Sequence, residues 1–384
     1  MTKKICVVLV DRANYGRLKP VMEILKCDKR FALQIICTGT TLLEKQGKVV
    51  DLIEKDGFKI SSKIYMEYAG SVPETMAMGI GTGVILLTNE IKKLDPDVVL
   101  IIGDRYEALS AAIASAYNNK IIAHVQGGEV SGSIDESARH AITKFSHLHF
   151  PSTLLAKKRI IRMGENPDMV IYSGCPSKDL LDNSTIDINN LNINGVGNKF
   201  DIKKPFILVS YHPTTTIEDS SDKNNIDIII KSLEKINKQV LWIWPNIDAG
   251  SDSISKQLRC YRESNILSDQ WLTLIKNVNP EVYIHLMNKA LCLLGNSSSF
   301  VRDSSFLGTP SIIVSNRQKN RERGENTIYL GNLSSQEDLI LKIKKTISKE
   351  ERIYSNIYEK KNPSEIIVEA IYKLNPEIQK TFYL

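Results

Sequence analysis

Ionisable side chains are concentrated between residues 127 and 144, where the sequence predicts a tight glycine turn followed by a helix. They are Glu129, Asp135, Glu136, Arg139 and His140. Asp135 and Arg139 are four residues apart and therefore share one helix face, while Ser133 followed by Glu136 predicts a capping box at the helix start. Carboxylates and cations crowded at one turn alter one another's pKa, as acid–base catalysis requires. The segment predicts an active site, against the alternative of a helix start with ordinary surface charges.

Two other polar segments of the first half follow predicted strands. Arg12 lies in a predicted loop before a helix start, where its guanidinium and the helix dipole would suit a phosphate, although a plain surface arginine is the alternative. Asp104 and Arg105 follow the predicted strand Val98–Ile102. Asp104 would serve as a base or bind sugar hydroxyls, or else it would N-cap the next helix.

Three histidines of the first half lie in predicted strands. His124 is expected to be a core histidine, and His147 and His149 alternate along one strand, so that both face the same side. That side is either the wall of a cleft or a buried, hydrogen-bonded surface. Neither carboxylates nor cysteines stand at zinc-ligand spacing beside them, so we expect no metal site.

The second half carries an anion-binding pattern. Gly295 is followed by Asn296, Ser297 and Ser298 after a predicted strand, and glycine allows close backbone approach while hydroxyls and helix-start N–H groups face a phosphate. Serines that cap the helix without a ligand are the alternative. His212, Asn246 and Arg321 also follow predicted strands, and Asp303, further into the helix, would bind ribose hydroxyls. The sequence contains neither a GxGxxG nor a GxxxxGK[ST] motif, which disfavours dinucleotide and P-loop sites.

Short apolar runs alternate with helical patterns along the chain, which predicts an α/β fold with doubly wound parallel sheets. The predicted strands are Ile5–Val10, Leu33–Cys37, Val98–Ile102, Ile121–Val125, Leu148–Pro151, Met169–Ser173, Phe206–Ser210, Gln239–Trp244, Leu291–Leu294 and Ser311–Val314. The predicted helices are Arg17–Lys26, Val49–Lys55, Pro73–Lys93, Ala108–Tyr117, Ile134–Ser146, Leu155–Met163, Ile226–Ile236, Pro280–Ala290 and Ser335–Ile347. A polar stretch at residues 182–198 indicates a connection between two Rossmann-like domains, predicted at residues 1–185 and 200–363.

Composition narrows the class of protein. The 384 residues are 42% hydrophobic and 24% charged, with a net charge of +6, as in a globular enzyme of two domains. No apolar run has the length of a membrane span, and the basic residues are too dispersed for a nucleic-acid surface. The six cysteines show no metal spacing, and Cys6, Cys37 and Cys292 lie in apolar runs, so we expect reduced core thiols in a cytoplasmic protein.

An ordered set of segments resembles the hydrolysing UDP-N-acetylglucosamine 2-epimerases of the bacterial sialic-acid pathway. The matching segments are Arg12-Ala13-x-Tyr15, Gly103-Asp104-Arg105, Gly127-Gly128-Glu129-Val130, Ile134-Asp135, Arg139-His140-Ala141-Ile142-Thr143-Lys144, His212-Pro213, Pro245-Asn246-Ile247-Asp248-Ala249-Gly250, Gly295-Asn296-Ser297-Ser298 and Gly324-Glu325-Asn326. The resemblance implies a GT-B arrangement, with an inter-domain cleft and a C-terminal helix, within 364–384, that returns to the first domain. It also implies a homodimer or homotetramer.

The family chemistry supplies roles for these residues. A base removes the C2 proton while UDP leaves C1, water adds to the 2-acetamidoglucal, and a proton returns to the opposite face, giving N-acetylmannosamine and UDP without a cofactor. The resemblance assigns acid–base catalysis to Asp104 and Asp135, with Arg139 orienting Asp135, and a positioning or shared role to Gln126 and Glu129. The expected UDP-binding residues are Arg12, Ala13, Arg105, His212, Asn246, Val278, Ser297, Ser298, Asp303 and Arg321.

Departures from the family pattern lie on the sugar side. Gln126 stands where many relatives carry a catalytic glutamate, and an amide cannot exchange a proton at neutral pH. Asn14 and Thr41 also differ from the acidic residue and the histidine common in relatives. A hydrolysing epimerase of a UDP- or GDP-linked 2,4-diacetamido-trideoxy sugar is therefore an alternative, as are a GT-B glycosyltransferase and a catalytically silent nucleotide-sugar sensor.

Overall fold

The computed structural model describes residues 2–70, 72–191, 193–214, 219–245, 248–349 and 351–384. They form two compact units. The first unit contains residues 1–129, 134–183 and 358–384, and the second contains residues 130–133 and 184–357.

The strands within the described residues are β1 (Lys3–Leu9), β2 (Phe31–Thr38), β3 (Ser62–Ile64), β4 (Val98–Ile102), β5 (Ile121–Val125), β6 (Leu148–Phe150), β7 (Val196–Gly197), β8 (Phe206–Ser210), β9 (Gln239–Ile243), β10 (Leu272–Ile275), β11 (Cys292–Gly295), β12 (Ser311–Val314) and β13 (Thr327–Gly331). The helices are α1 (Arg12–Cys27), α2 (Val49–Lys55), α3 (Pro73–Leu94), α4 (Tyr106–Tyr117), α5 (Asp135–Phe145), α6 (Leu154–Arg162), α7 (Ser177–Asp182), α8 (Asp219–Glu234), α9 (Ser251–Ser264), α10 (Pro280–Lys289), α11 (Ser299–Leu307), α12 (Gln336–Ile347) and α13 (Pro363–Lys373).

The first unit is built on a parallel sheet in the order β3-β2-β1-β4-β5-β6. This is the strand order of a doubly wound Rossmann sheet. Both faces of the sheet are covered, because alternate residues of β1 enter two separate apolar clusters: Val7 packs with α1 and α13, and Val8 packs with α3 and α4.

The second unit repeats the plan. Its sheet runs β13-β12-β11-β8-β9-β10-β7, and the pairs are parallel except that β7 joins β10 antiparallel at the edge. Counted from β8, the six parallel strands have the same order as in the first unit. The predicted α/β class with two Rossmann-like sheets is thus confirmed.

Local chemistry explains where the predicted boundaries fail. Helix α1 begins at Arg12 rather than Arg17, because the Asp11 side chain accepts the Asn14 N–H at 2.6 Å and caps the helix. The predicted strand Met169–Ser173 is wrong: a 3₁₀ turn ends at Met169, and Val170 alone bridges to β6. Within the described residues no helix is both long and apolar enough to cross a bilayer.

Candidate active site

Each sheet has a point where the order of its strands reverses, and ligands of open α/β sheets bind beyond the carboxyl ends of the strands at that point. In the first unit the reversal lies between β1 and β4. Arg12 follows one strand end and Asp104 follows the other. In the second unit the reversal lies between β8 and β11, which lead into His212 and into Asn296–Ser298.

Asp104 is held by an ion pair with Arg139. Arg139 projects from α5 and is fully buried, whereas the Asp104 side chain is 24% exposed. A second guanidinium nitrogen of Arg139 donates to the carbonyl oxygen of Glu129 at 2.8 Å. The N-cap of α4 is Arg105, so Asp104 is not the helix cap that the sequence left open. Its carboxylate is instead fixed at the strand end by a buried cation, and the side chain stays partly exposed.

The turn after β5 is strained and buried. Gln126 has a φ of 65°, which is uncommon for a residue with a side chain. Its side-chain amide donates to the Cys175 sulfur at 3.4 Å, and its Oε1 is buried with no hydrogen-bond partner among the residues that the structure describes. Glu129 is also buried. Since strain and unsatisfied polar atoms are concentrated at functional sites, the turn supports the predicted site without assigning a proton carrier.

Asp135 is the first residue of α5 and is partly exposed. Ile134 occupies the cap position in a helical conformation and makes no capping hydrogen bond with its side chain, so the capping box of Ser133 and Glu136 stays a prediction. Asp135 and Glu136 therefore stand at a helix N-terminus, where the dipole stabilises carboxylates. Arg139 forms an ion pair with Asp104, on the neighbouring strand end.

The other predicted residues of the first unit differ in accessibility. Arg12 and Ala13 open α1 at the end of β1, and Ala13 is exposed. Arg105 is buried and forms a two-bond pair with Glu107, at 3.0 Å and 2.7 Å. Burial raises the pKa of Glu107, and the Arg105 cation opposes that shift. The pair escaped the sequence reasoning, although its members lie two residues apart.

In the second unit, His212 and the serine segment lie on neighbouring strand ends. His212 is buried, and its Nε2 lies 3.2 Å from Ser210 Oγ. Ser298 occupies the cap position of α11 without a capping bond from its side chain, and Ser297 Oγ lies 2.8 Å from Ser299 Oγ. The Ser298 side chain therefore does not play the helix-capping role that was the alternative to anion binding.

The remaining predicted nucleotide residues are distributed over the second unit. Asp303 is buried inside α11, and Arg321 is buried in the turn after β12. Val278 is partly exposed between β10 and α10. Asn246 lies outside the described residues.

The three histidines for which the sequence predicted strand positions, His124, His147 and His149, are structural. His124 bonds the Gly103 carbonyl at 2.8 Å, and burial lowers its pKa to about 3, so it stays neutral. His149 contacts Glu165 at 3.1 Å, and His147 lies 2.9 Å from the Ile378 carbonyl. The buried, hydrogen-bonded alternative is the one observed. Among the described residues no cluster of metal-ligating side chains is present.

Comparison with known proteins identifies the family. The profile described as UDP-N-acetylglucosamine 2-epimerase matches residues 23–372. The chain is 33% identical over 361 residues to the UDP-N,N'-diacetylbacillosamine 2-epimerase (hydrolyzing) of Legionella pneumophila, covering 93% of this chain and 92% of that protein. It is 28% identical over 328 residues to the UDP-N-acetylglucosamine 2-epimerase of Neisseria meningitidis, covering 85% and 83%.

A solved structure shows the same fold. The Methanocaldococcus jannaschii UDP-GlcNAc 2-epimerase, crystallised in complex with UDP-GlcNAc and UDP, superposes with a TM-score of 0.78 at 19% identity and covers 96% of this chain and 99% of its own. With two Rossmann-like sheets, polar strand ends and a family match along most of its length, the chain belongs to the UDP-N-acetylglucosamine 2-epimerase family.

Proposed function

We propose that this protein is a hydrolysing 2-epimerase, which converts a UDP-linked 2-acetamido sugar and water into UDP and the free sugar inverted at C2. The single observation that carries this proposal is Asp104, fixed by buried Arg139 at the reversal point of the first sheet. The 33% identical relative, whose name includes "hydrolyzing", supports the hydrolytic outcome.

The proposed chemistry uses the carboxylates of the first unit. One carboxylate removes the C2 proton as UDP departs from C1, and a second delivers a proton to the opposite face of C2 after water has added at C1. Asp104 and Asp135 fill these roles, and Arg139 fixes the carboxylate of Asp104. Gln126 cannot carry a proton, so Glu129 is the next candidate if Asp135 proves dispensable.

We assign UDP chiefly to the second unit. Ser297 and Ser298 at the start of α11, with His212 and Arg321, would hold the diphosphate, because helix N-terminal N–H groups and cations stabilise a departing anion. Asp303 would bind the ribose, and the segment containing Val278, with Asn246, would bind the uracil. Arg12 and Ala13 at the start of α1, with Arg105, are the contribution proposed for the first unit.

Two sugars compete as the substrate. UDP-N-acetylglucosamine, giving N-acetylmannosamine for sialic acid synthesis, follows from the resemblance and the family description. The 33% identical relative instead favours a UDP-2,4-diacetamido-trideoxy sugar, as does Gln126, which differs on the sugar side. We therefore put the diacetamido sugar first.

Nucleotide release from each candidate substrate, measured side by side, tests this assignment. The protein is incubated with UDP-N-acetylglucosamine and with UDP- and GDP-linked diacetamido sugars, and the free sugar is identified by NMR. Turnover of UDP-N-acetylglucosamine alone would reverse the order of the two substrates. Release that requires an acceptor would identify a glycosyltransferase, and binding without turnover a sensor.

We also propose that the protein is a cytoplasmic homo-oligomer, either a dimer or a tetramer. Helix α3 exposes Met78 and Ile85, seven residues apart on one face, which suits a second copy of the chain. Buried thiols such as Cys6 and Cys37 suit a reducing compartment. Light scattering should give at least a dimeric mass for the parent protein and a smaller mass for Ile85→Glu; a parent monomer would contradict the proposal.

A further inference from the structure

Asn296, the residue after β11, is fully buried and forms two hydrogen bonds with the backbone of His212. The His212 N–H donates to Asn296 Oδ1 at 2.7 Å, and Asn296 Nδ2 donates to the His212 carbonyl at 2.7 Å. Both distances are short for bonds of this type. One side-chain amide therefore satisfies both backbone groups of His212 and fixes the start of the loop after β8.

The same asparagine reaches the loop after β12. Its Nδ2 also donates to Ser315 Oγ at 3.0 Å, and its own carbonyl accepts a hydrogen bond from Gln318 Nε2 at 2.9 Å. The backbone carbonyl of Gln318 in turn accepts a hydrogen bond from the backbone N–H of Arg321 at 3.3 Å. Asn296 is thus hydrogen-bonded to the loops that follow both strands adjacent to β11.

These loops carry the residues to which the diphosphate is assigned. His212 follows β8, Ser297 and Ser298 follow Asn296 itself, and Arg321 follows β12. We propose that Asn296 is a positioning residue, which holds these three loops in the register that binds the diphosphate of UDP. The proposal rests on the proposed function, because it presupposes that UDP binds here.

The chemistry requires an amide. Asn296 accepts one hydrogen bond at Oδ1 and donates two from Nδ2, whereas an aspartate of nearly the same shape accepts only. In Asn296→Asp the Ser315 hydroxyl can rotate and donate to the new carboxylate. The His212 carbonyl oxygen, however, would face a carboxylate oxygen and be repelled by it. The substitution therefore tests the hydrogen bonds with little change in packing volume.

A second buried asparagine of the same unit provides a matched control. Asn326 Nδ2 donates to the carbonyls of Ser304 and Thr309 at 3.0 Å and 2.9 Å, and to Ser304 Oγ at 3.0 Å. These bonds join the interior of α11 to the segment before β12. Asn326→Asp removes a similar number of hydrogen-bond donors from the same unit but leaves the two hydrogen bonds between Asn296 and the His212 backbone in place.

The test is calorimetric binding of UDP and of UMP to the full-length protein and to both variants. If Asn296 positions the diphosphate site, Asn296→Asp should lose roughly tenfold or more in UDP affinity. UMP affinity should change little, so that the preference for UDP over UMP falls by the same factor. Asn326→Asp should keep the parent preference even if its stability falls equally. An unchanged preference for UDP over UMP in Asn296→Asp, or an equal loss of that preference in Asn326→Asp, would overturn the proposal.

Two further results keep the outcomes separable. A parent protein that binds no UDP would overturn the proposed function together with this inference, whereas parent binding with an unaffected Asn296→Asp would overturn the inference alone. Should Asn296→Asp not fold, Ser315→Ala removes one bond of the cluster. It should then lower the UDP-to-UMP preference by about threefold, and an unchanged preference would refute the positioning role.

Discussion

Replacing Glu165 by glutamine should destabilise the first unit, because this glutamate joins three separate segments. Its side chain is 3% exposed. It accepts hydrogen bonds from Lys144 of α5 at 2.5 Å, from Lys380 of the C-terminal segment at 2.5 Å, and from His149 of β6 at 3.1 Å. Lys380 also donates to the Ser146 carbonyl at the end of α5, at 2.6 Å. The carboxylate therefore ties the helix that carries Arg139 to the end of the chain.

The magnitude follows from the pKa of Glu165. Burial opposes ionisation, but hydrogen bonds from His149, Lys144 and Lys380 outweigh it and lower the pKa from 4.5 to about 2. That difference corresponds to roughly 3 kcal/mol of stability at neutral pH. Because the pKa of the folded state is the lower one, the stabilisation is complete above pH 4.5 and is lost as the pH falls through 2. About 1.4 kcal/mol should remain at pH 3.

Urea unfolding, followed by far-ultraviolet circular dichroism at pH 7 and pH 3, measures this difference between the parent protein and Glu165→Gln. The three tryptophans, Trp242, Trp244 and Trp271, all lie in the second unit. Their fluorescence is therefore an internal reference and should not shift. Glu369→Gln, on half-exposed α13, is the matched control and should have little effect. A loss below about 0.5 kcal/mol at pH 7, or an equal loss at both pH values, would refute the reasoning.

Two further substitutions probe the site and its supports. Asp104→Asn should lower kcat by about 10²- to 10⁴-fold, since it removes a proposed acid–base group, while the calorimetric UDP dissociation constant stays within about twofold; full activity would remove Asp104 from the mechanism. Gly295→Ala should lower the free energy of unfolding of the second unit, measured by urea titration of tryptophan fluorescence, by several kcal/mol, because Gly295 has a φ of 144° and an added Cβ would lie 1.9 Å from the Ser210 carbonyl oxygen. An unchanged free energy of unfolding in Gly295→Ala would show that this close contact is unimportant.

The strands whose bounds the sequence predicts best are buried on both faces, although the equally buried β10 was missed. The bounds of β4, β5, β8 and β12 agree with the predicted ones, because each is a short apolar run that ends at a turn residue or a glycine. In contrast, β13 is only partly buried, and helix α9 is strongly polar. Neither was predicted, because their stability depends on the neighbouring elements rather than on a strong pattern of their own.

The positions of the site residues were predictable, but their partners were not. Polar residues directly after strands marked Asp104 and Ser297, because parallel strands share one carboxyl edge. The pairing of Asp104 with Arg139 depends on the order of the strands, which brings α5 beside the end of β4. Helical spacing within α5 indicated only that Asp135 and Arg139 share a face of the helix. Likewise, Asn296 stood in the anion-binding pattern, but its bonds to His212 and Ser315 require the folded sheet.

Proton NMR of the reaction in deuterated water tests the central claim most directly, with the UDP-linked diacetamido sugar and UDP-N-acetylglucosamine as substrates. A base that removes the C2 proton and an acid that returns one to the opposite face should place a single deuterium at C2 of a free, inverted sugar, as UDP accumulates in equal amount. UDP release with protium retained at C2, or a sugar that keeps its configuration, would contradict the account.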